Sequence, residues 1–308
     1  MRMYGFRRYG DQSVQEFMDA AVSPAAEGTV LIRTQAVSIN PADIKVRNGQ
    51  RQGKVEVTFP MAMGREASGV VENQSGALAP GTAVFGSCAA GSGALAEYVL
   101  LDASQTARVP EGVSAEQAAC LPVAACTAWD ALHELQVEPG ELVLVLGAGG
   151  GVGVHAVQLS TLLGARVVGV ASEGKRSLVE ELGATHVASG PGWTARVAEV
   201  VAAGEQRRNA VDAVIDSVGG APLVEASRLL ADAVRLRSAA DPALAAEVGG
   251  SGIIRRRSAA VYAEVAELVR DGHLEPVIGQ VLPFTEAGRA VEIVETGHAA
   301  GKVIVTFS

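Results

Sequence analysis

The chain has 308 residues, which is enough for two domains with complete hydrophobic cores. Its formal net charge is −9 and 19% of its residues are charged, a balance that argues against binding to nucleic acid or to an anionic membrane surface. The mean hydropathy is +0.25, but the sequence holds no uninterrupted apolar run of about 18 residues, so no transmembrane helix is predicted.

Cysteine usage favours a reducing compartment. Cys88, Cys120 and Cys126 are odd in number and show no C-x-x-C spacing, so they predict neither a disulfide framework nor a metal site. The N-terminal residues lack the apolar segment of a secretory signal. We therefore expect a cytoplasmic protein.

Residues 1–122 predict a compact β-rich domain. Short β-prone runs at residues 29–39, 67–72, 83–85 and 96–101 are separated by turns such as Asn48-Gly49. The chain then becomes helical, because Ser114 begins a capping box with Gln117. Pro122 is expected to break this helical run, which resumes over residues 127–135.

A strand, a helix and a second strand follow in close succession. Leu142–Leu146 is apolar throughout and too short for a buried helix, so it predicts a strand that is buried on both faces. From Val152, apolar residues recur at helical spacing up to Gly164, and residues 166–171 predict another buried strand. The segment is therefore a β-α-β unit.

Glycines fill the turn between the first strand and the helix. Gly147, Gly150 and Gly153 have the spacing G-x-x-G-x-x-G. In such a unit, glycines let the backbone approach a phosphate closely, and the free N–H groups of the helix N-terminus bind it. We therefore predict that these glycines, with Gly151 and Val152, bind the pyrophosphate of a dinucleotide; the alternative is a plain strand-turn-helix connection.

The end of the second strand indicates which dinucleotide binds. An NAD site usually has Asp or Glu there, and the carboxylate would repel the 2′-phosphate of NADP. This strand ends at Ala171, and Ser172, Lys175 and Arg176 follow with a hydroxyl and two cations that suit a phosphomonoester. Although Glu173 lies among them, NADP is favoured over NAD; the alternative is a solvated turn before the next helix.

Strands and helices continue to alternate after Gly183. Strands are predicted over residues 185–188, 211–216 and 234–238, with Ile253 and Ile254 suggesting a sixth, and helices are predicted over residues 193–203 and 222–231. This order predicts an α/β fold with a doubly wound Rossmann sheet of about six parallel strands.

The tail of the chain has a different pattern. It predicts a helix over residues 262–269, a turn at Thr296-Gly297 and a short strand over residues 302–307. Because no further βαβ unit is evident, we expect the tail to return to the first domain.

Taken together, the chain resembles the zinc-independent quinone oxidoreductase branch of the medium-chain dehydrogenase/reductase superfamily. Matching motifs occur in the family's order and span nearly the full length. They are residues 38–45, 64–71, 96–99, 121–129, the glycine turn, 182–184, 216–220 and 297–303.

The resemblance implies a GroES-like β-rich catalytic domain formed from both chain ends, residues 1–122 and 258–308. It implies a Rossmann NADP-binding domain at residues 123–257, a cleft that admits NADPH, and a homodimer joined through the Rossmann sheets.

The same resemblance makes the residues at the family's metal site informative. Zinc-dependent relatives hold a catalytic zinc with a Cys in the segment that matches residues 38–43 and a His followed by Glu in the segment that matches residues 64–66. This chain has Asn40, Arg65 and Glu66 there; Asn is a poor zinc ligand and Arg cannot be one. The histidines are scattered and none pairs with a cysteine at ligand spacing: His133, His155, His186, His273 and His298. We therefore expect no zinc.

A metal-free nicotinamide enzyme suits substrates that are already electrophilic, such as a quinone or an α,β-unsaturated carbonyl. The leading hypothesis is that NADPH hydride adds to the acceptor while hydrogen-bond donors stabilise the oxygen that becomes negative. One alternative is an enoyl-thioester or biosynthetic tailoring reductase on the same fold. Another is a non-catalytic NADP-binding structural or regulatory protein.

Two residues are candidates for catalysis. The resemblance places Asn40 beside the nicotinamide ribose and the substrate, where its amide can donate and accept hydrogen bonds; the alternative is an Asn that fixes the turn before Pro41. Lys45 is a candidate to orient substrate or supply a proton, the alternative being a solvated lysine. Asp43 and Glu66 are expected to organise the domain through hydrogen bonds.

Thr127, Val218 and Ser238 complete the predicted cofactor site. Thr127 resembles the family residue that contacts the nicotinamide end, and the alternative is a helix cap. The arginine run at residues 255–257 could bind an anionic CoA or carrier-bound thioester, but we expect it to form a solvated face.

Overall fold

The structure, a computed structural model, describes residues 1–203, 210–297 and 299–307, so that His298 lies outside the described residues. Its strands are β1 Arg2–Phe6, β2 Gln15–Asp19, β3 Thr29–Ile39, β4 Met61–Ala62, β5 Glu66–Val71, β6 Ala83–Cys88, β7 Tyr98–Arg108, β8 Leu142–Leu146, β9 Arg166–Ala171, β10 Thr185–Ala188, β11 Ala213–Asp216, β12 Leu236–Ser238, β13 Ser251–Gly252, β14 Ile278–Pro283 and β15 Lys302–Thr306. Its α-helices are α1 Pro41–Arg47, α2 Ala115–Ala119, α3 Cys126–Leu135, α4 Gly151–Leu162, α5 Arg176–Glu181, α6 Trp193–Ala203, α7 Gly220–Ser227, α8 Pro242–Glu247, α9 Ala259–Arg270 and α10 Ala287–Glu295. None of these helices is both long and apolar enough to cross a bilayer.

The chain divides into two compact units. The β unit comprises Met1–Val123, Arg257–Gly272 and Ile278–Ser308. The α/β unit comprises Ala124–Arg256 and His273–Val277.

The α/β unit is built on a parallel sheet. Within the described ranges its strands lie in the order β10-β9-β8-β11-β12-β13, and each neighbouring pair is parallel. Counted along the chain this order is 3-2-1-4-5-6, the doubly wound arrangement of dinucleotide-binding domains. Every residue of β8 is buried, as a strand at the centre of such a sheet requires. The predicted Rossmann sheet is therefore confirmed.

The β unit contains a larger sheet in the order β14-β15-β3-β5-β6-β7 and a smaller one in the order β2-β1-β4. Because β3 also pairs with β7, the strands β3, β5, β6 and β7 close on themselves. The tail returns to this unit, since β15 pairs antiparallel with β3. The predicted β-rich domain built from both chain ends is confirmed.

The tail nevertheless contains a βαβ unit, so the expectation of no further one was wrong. Strands β14 and β15 pair in parallel, with α10 between them. Strand β14 was not predicted from the sequence because it is an edge strand in which only Leu282 is buried. Such a strand shows no alternation of apolar and polar residues. The signal for α10 was present in Ala287, Ala290, Val291 and Val294, which are buried at helical spacing.

The sixth strand of the parallel sheet lies earlier than predicted. It is β13, Ser251–Gly252, whereas Ile254 lies beyond it and is 74% exposed. A Cβ on Gly252 would come within 2.7 Å of the Pro242 Cβ, so the close approach of the backbone to α8 requires glycine. The assignment of Ile253 and Ile254 to this strand was therefore wrong. The close contact of the Gly252 backbone with α8, and not the pair of isoleucines, determines where the strand lies.

The helical region after Ser114 follows the prediction with one difference. The capping box between Ser114 and Gln117 is present. The chain does not leave helical geometry at Pro122. This residue lies in a π-helical turn, Leu121–Ala125, that leads directly into α3.

Candidate functional site

The glycine turn after β8 is packed so tightly that side chains do not fit. Gly147 has a φ of +76°, and a Cβ on it would lie 2.5 Å from the Ser217 Oγ. A Cβ on Gly153 would lie 2.1 Å from the Gly147 carbonyl oxygen. Glycine is therefore required at both positions, where the first turn of α4 meets the end of β8.

The N-terminus of α4 is open to an anion. Its N-cap is Gly150, which has no side chain to cap the helix, and the first turn contains no acidic residue. Gly151, Val152 and Gly153 are the first three helical residues, and the N–H groups at such positions have no partner within the helix. The predicted residues thus form a cradle that fits a pyrophosphate.

Lys175 lies next to this cradle. A Cβ built on Gly149 would lie 2.5 Å from Lys175 Cδ, so the lysine stem packs over the glycine turn. Burial lowers the pKa of this lysine. The Arg176 guanidinium contacts Glu173 at 2.7 Å and Glu180 at 3.3 Å. Ser172 is exposed, immediately after β9.

The predicted residue Ser238 ends β12, and Val218 lies two residues after the end of β11. The two residues differ in accessibility. The Ser238 hydroxyl is fully buried and donates to the Asp216 carboxylate at 2.5 Å. The backbone amides of Val218 and Gly219 donate to the same carboxylate. Val218 is 52% exposed, and its side chain lies beside Gly147. Val218 is therefore available to a ligand, whereas the Ser238 hydroxyl has a partner within the protein.

Thr127 does not cap α3, so that alternative was wrong. The N-cap is Ala125, and the buried Thr127 hydroxyl accepts a hydrogen bond from Arg255 Nη1 at 2.6 Å. The carboxylate of Asp130, one turn further along α3, accepts from the Nε atoms of Arg255 and Arg256 at 3.1 and 2.8 Å.

The expectation that the arginine run forms a solvated face was therefore wrong for two of its members. Arg255 and Arg256 converge on Asp130, which is 1% exposed. Spacing along the sequence could not reveal this pairing, since 125 positions separate Arg255 from the carboxylate. The result is a clamp that holds residues 255 and 256 against α3 within the α/β unit.

A buried polar cluster surrounds Asn40 in the β unit. Asn40 Nδ2 donates to Glu66 Oε1 at 2.7 Å and to the Ser38 carbonyl at 3.2 Å. Its Oδ1 accepts from Lys302 Nζ at 2.6 Å. The Asn40 backbone N–H donates to the Asp43 carboxylate at 2.8 Å. Asn40 is thus more than a turn residue, because its side chain joins β3, β5 and β15.

Glu66 and Asp43 organise this region through hydrogen bonds, as expected. Glu66 Oε2 accepts from the Val123 backbone N–H at 2.6 Å. Asn40, Asp43 and Glu66 were predicted from the sequence, whereas their partner Lys302 was not. A lysine at the start of a strand whose other residues are apolar or Thr was the available signal, since buried lysines are rare unless paired.

Arg65 lies close enough to the cluster for its charge to lower the pKa of Asp43. Lys45 lies in α1 and is half-buried. Across the described part of the chain, no group of three or more His, Cys, Asp or Glu side chains is arranged to hold a metal ion. At the positions of the family's zinc ligands, Asn40 instead accepts from an ammonium group.

Burial raises the pKa of Asp43 to about 7. The hydrogen bond from Asn40 opposes this shift, the charge of Glu66 adds to it, and Arg65 and Lys302 lower it. Its Oδ1 is buried and has no hydrogen-bond partner among the described residues.

The substitution Gly153→Ala should disrupt the cradle. The new methyl group would meet a backbone oxygen, so the start of α4 must shift, which we expect to cost about 1–3 kcal/mol and to weaken dinucleotide binding at least roughly tenfold. Chemical unfolding and a fluorescence titration with NADPH measure both effects. Gly174→Ala is the control for unfolding, because its Cβ would meet nothing within 4 Å. Unchanged NADPH binding by Gly153→Ala would contradict the assignment.

The Asp43 carboxyl should make stability depend on pH. Its folded pKa of about 7 lies above the ordinary aspartate value of 3.8, so between these two pH values the unfolded chain loses a proton that the folded chain keeps. The free energy of unfolding of the wild type, measured relative to that of Asp43→Asn, should therefore fall as the pH rises through this window, by up to about 1.4 kcal/mol per pH unit. Above the window this difference should stay constant. Urea unfolding at several pH values measures the difference. Asp19 is exposed, and the control variant Asp19→Asn should keep the same difference in stability from the wild type at every pH. If the stability of Asp43→Asn changes with pH in parallel with that of the wild type, the prediction is refuted.

Comparison with known proteins supports the same family. A family model described as an alcohol dehydrogenase GroES-like domain matches residues 26–111, and one described as a zinc-binding dehydrogenase matches residues 182–305. The mitochondrial NAD(P)H oxidoreductase RTN4IP1 of Mus musculus is 29% identical over 97% of this chain and 87% of its own length. The polyketide synthase GfsB of Streptomyces halstedii is 34% identical over 93% of this chain, which spans 5% of that protein.

Solved structures agree with these matches. The quinone oxidoreductase from Coxiella burnetii has a TM-score of 0.86 and 27% identity, covering 99% of both chains. A mycobacterial protein in complex with NADPH has a TM-score of 0.84 and 26% identity, again over 99% of both chains. With the parallel sheet, the β-rich unit and the substituted metal positions, these matches identify the chain as an oxidoreductase of the medium-chain dehydrogenase/reductase superfamily, of the zinc-independent type.

Proposed function

We propose that this chain is an NADPH-dependent reductase that transfers hydride to a quinone or to another α,β-unsaturated carbonyl compound. The observation that carries the proposal is the open N-terminus of α4 with Lys175 packed over its glycine turn. The similarity to a quinone oxidoreductase and to a protein solved with NADPH supports it.

The pyrophosphate would be held by the N–H groups of Gly151, Val152 and Gly153 together with the positive end of the α4 dipole. Gly150, whose own N–H donates to the Gly147 carbonyl oxygen, would let the phosphate approach closely. When bound, the nicotinamide supplies the hydride, and the protein supplies position and electrostatics.

Lys175 is proposed as the main determinant of NADPH over NADH. Its ammonium carries the positive charge that a 2′-phosphate needs, and its stem is already fixed against Gly149. Arg176 is proposed to contribute less, because Glu173 and Glu180 already offset its charge. Ser172 adds a hydroxyl at the exposed end of β9.

Asn40, Lys45 and Thr127 are proposed to serve the nicotinamide and the substrate. Asn40 uses both Nδ2 hydrogens within the protein and shares its Oδ1 with Lys302, so it would accept a hydrogen bond from a ligand rather than donate one. Thr127 Oγ1 accepts a hydrogen bond from Arg255, which holds the Thr127 side chain in place. Lys45 remains the proposed source of a proton.

An enoyl-thioester or biosynthetic tailoring reductase is the second candidate. The similarity to a polyketide synthase, a biosynthetic enzyme, favours it. The clamp formed by Asp130 offsets part of the charge of Arg255 and Arg256, which weakens the argument that these arginines bind an anionic carrier. A cytoplasmic location and a homodimer stay predictions.

Replacement of Lys175 by Met should weaken NADPH binding roughly tenfold and leave NADH binding nearly unchanged, because the charge serves the 2′-phosphate alone. Arg176→Met should have a smaller effect. Fluorescence titration of the two variants with both cofactors measures the difference. A preference for NADH in the wild-type chain would overturn the assignment of Ser172, Lys175 and Arg176.

A turnover screen tests the reaction itself. Oxidation of NADPH should be followed at 340 nm with quinones, enones, simple thioesters and CoA thioesters as acceptors, and with NADH as comparison. We expect turnover with quinones or enones that carry no CoA handle. Activity confined to CoA thioesters would favour the second candidate, and NADPH binding without turnover of any acceptor would favour a non-catalytic role.

A further inference from the structure

The ammonium group of Lys302 lies inside the β unit. Lys302 is 3% exposed although it belongs to β15, whose other side chains are apolar or Thr. Its Nζ lies 2.6 Å from Asn40 Oδ1 and 3.4 Å from both Glu66 Oε1 and the Ile39 carbonyl oxygen. Burying a charge is costly unless it is paired and hydrogen-bonded, so these oxygens offset the cost.

The two charged neighbours allow the Asn40 amide a single orientation. An ammonium group donates hydrogen bonds and cannot accept them, whereas a carboxylate accepts and cannot donate. Lys302 therefore requires the Asn40 oxygen to face it, and Glu66 requires the Asn40 nitrogen. A half-turn of the amide would place its NH2 group against the ammonium and its oxygen against the carboxylate, and both contacts would be repulsive.

The fixed orientation limits what Asn40 can bind. Its two Nδ2 hydrogens are directed to Ser38 and Glu66, and one lone pair of Oδ1 is used by Lys302. The backbone N–H of Asp43 donates to the Asn40 backbone carbonyl oxygen at 3.0 Å, and the Asn40 side chain makes no cap hydrogen bond. What remains is the second lone pair of Oδ1, an acceptor. Such a group recognises a hydroxyl hydrogen, and it cannot donate to a carbonyl oxygen.

We infer that Lys302 is a positioning residue that presents Asn40 as an acceptor for a ligand hydroxyl, an inference that rests on the proposed function of Asn40. Lys302 acts through Asn40, because its own Nζ faces Asn40, Glu66 and Ile39. Glu66 completes the arrangement, since its other oxygen is held by the Val123 amide and the carboxylate cannot turn freely.

A double-mutant cycle tests this inference. The variants are Lys302→Met, which removes the ammonium group at similar length, Asn40→Ala, and the two combined. Lys302→Met should lower kcat/KM by roughly 10- to 100-fold, as loss of a positioning contact does. In the Asn40→Ala background, the same change should lower kcat/KM less than about twofold, because the residue through which Lys302 acts is gone.

Two further variants separate positioning from general damage. Lys302→Arg keeps a buried cation that only donates hydrogen bonds, so it should restore part of the activity lost in Lys302→Met. Lys54→Met removes an exposed lysine from the same unit and should behave as wild type. If Lys302→Met does not fold, the double-mutant cycle is run with Lys302→Arg instead. The guanidinium group is larger than the ammonium group, and it should change the activity only when Asn40 is present.

The same four proteins are also unfolded in urea, which separates the inference from the proposed function. Should wild type turn over none of the acceptors, the proposed function fails, and the unfolding data still decide whether Lys302 and Asn40 are coupled. Clearly non-additive shifts of the unfolding midpoint would show that Lys302 and Asn40 are coupled, which the inference requires. Additive effects of the two substitutions on the unfolding midpoint would overturn the inference. Where the protein turns over an acceptor, additive effects on kcat/KM would overturn it as well.

Discussion

The first turn of α4 lies against the carbonyl oxygen of Gly147, at a distance that leaves no room for a side chain on Gly153. This contact places the start of the helix at the carboxyl end of β8, in the middle of the parallel sheet. The helix N-terminus is consequently exposed to a ligand instead of being covered by a capping side chain. Lys175 lies beside the turn, and we propose that its charge favours NADPH over NADH.

The β unit follows a different principle, the pairing of buried charge. Asn40, Glu66 and Lys302 come from positions far apart in the chain and satisfy one another in a space from which water is largely excluded. Asp43 adds a carboxyl that burial makes difficult to ionise. Such a cluster holds an amide in one orientation with little reorganisation, which is what binding and orienting a ligand require.

The sequence predicted the parts of the molecule in which local signals and the fold agree. The segment from Leu142 to Ala171 combines a short apolar run, a glycine turn and a helical repeat, and the structure has all three elements there. It failed where long-range contacts decide. An edge strand such as β14 buries too little to leave a pattern, and the arginines at residues 255 and 256 are paired with a carboxylate on another element. Lys302 was part of a motif, but its partners could not be known before β15 was placed beside β3.

The central claim is that a pyrophosphate binds to the backbone amides at the start of α4, with Lys175 beside the 2′-phosphate. A crystal structure of the protein with saturating NADPH tests this most directly. We expect pyrophosphate oxygens within hydrogen-bonding distance of the amides of Gly151, Val152 and Gly153, and the Lys175 ammonium in contact with the 2′-phosphate. NADPH bound elsewhere, or a glycine turn covered by side chains with no cofactor on it, would contradict the account.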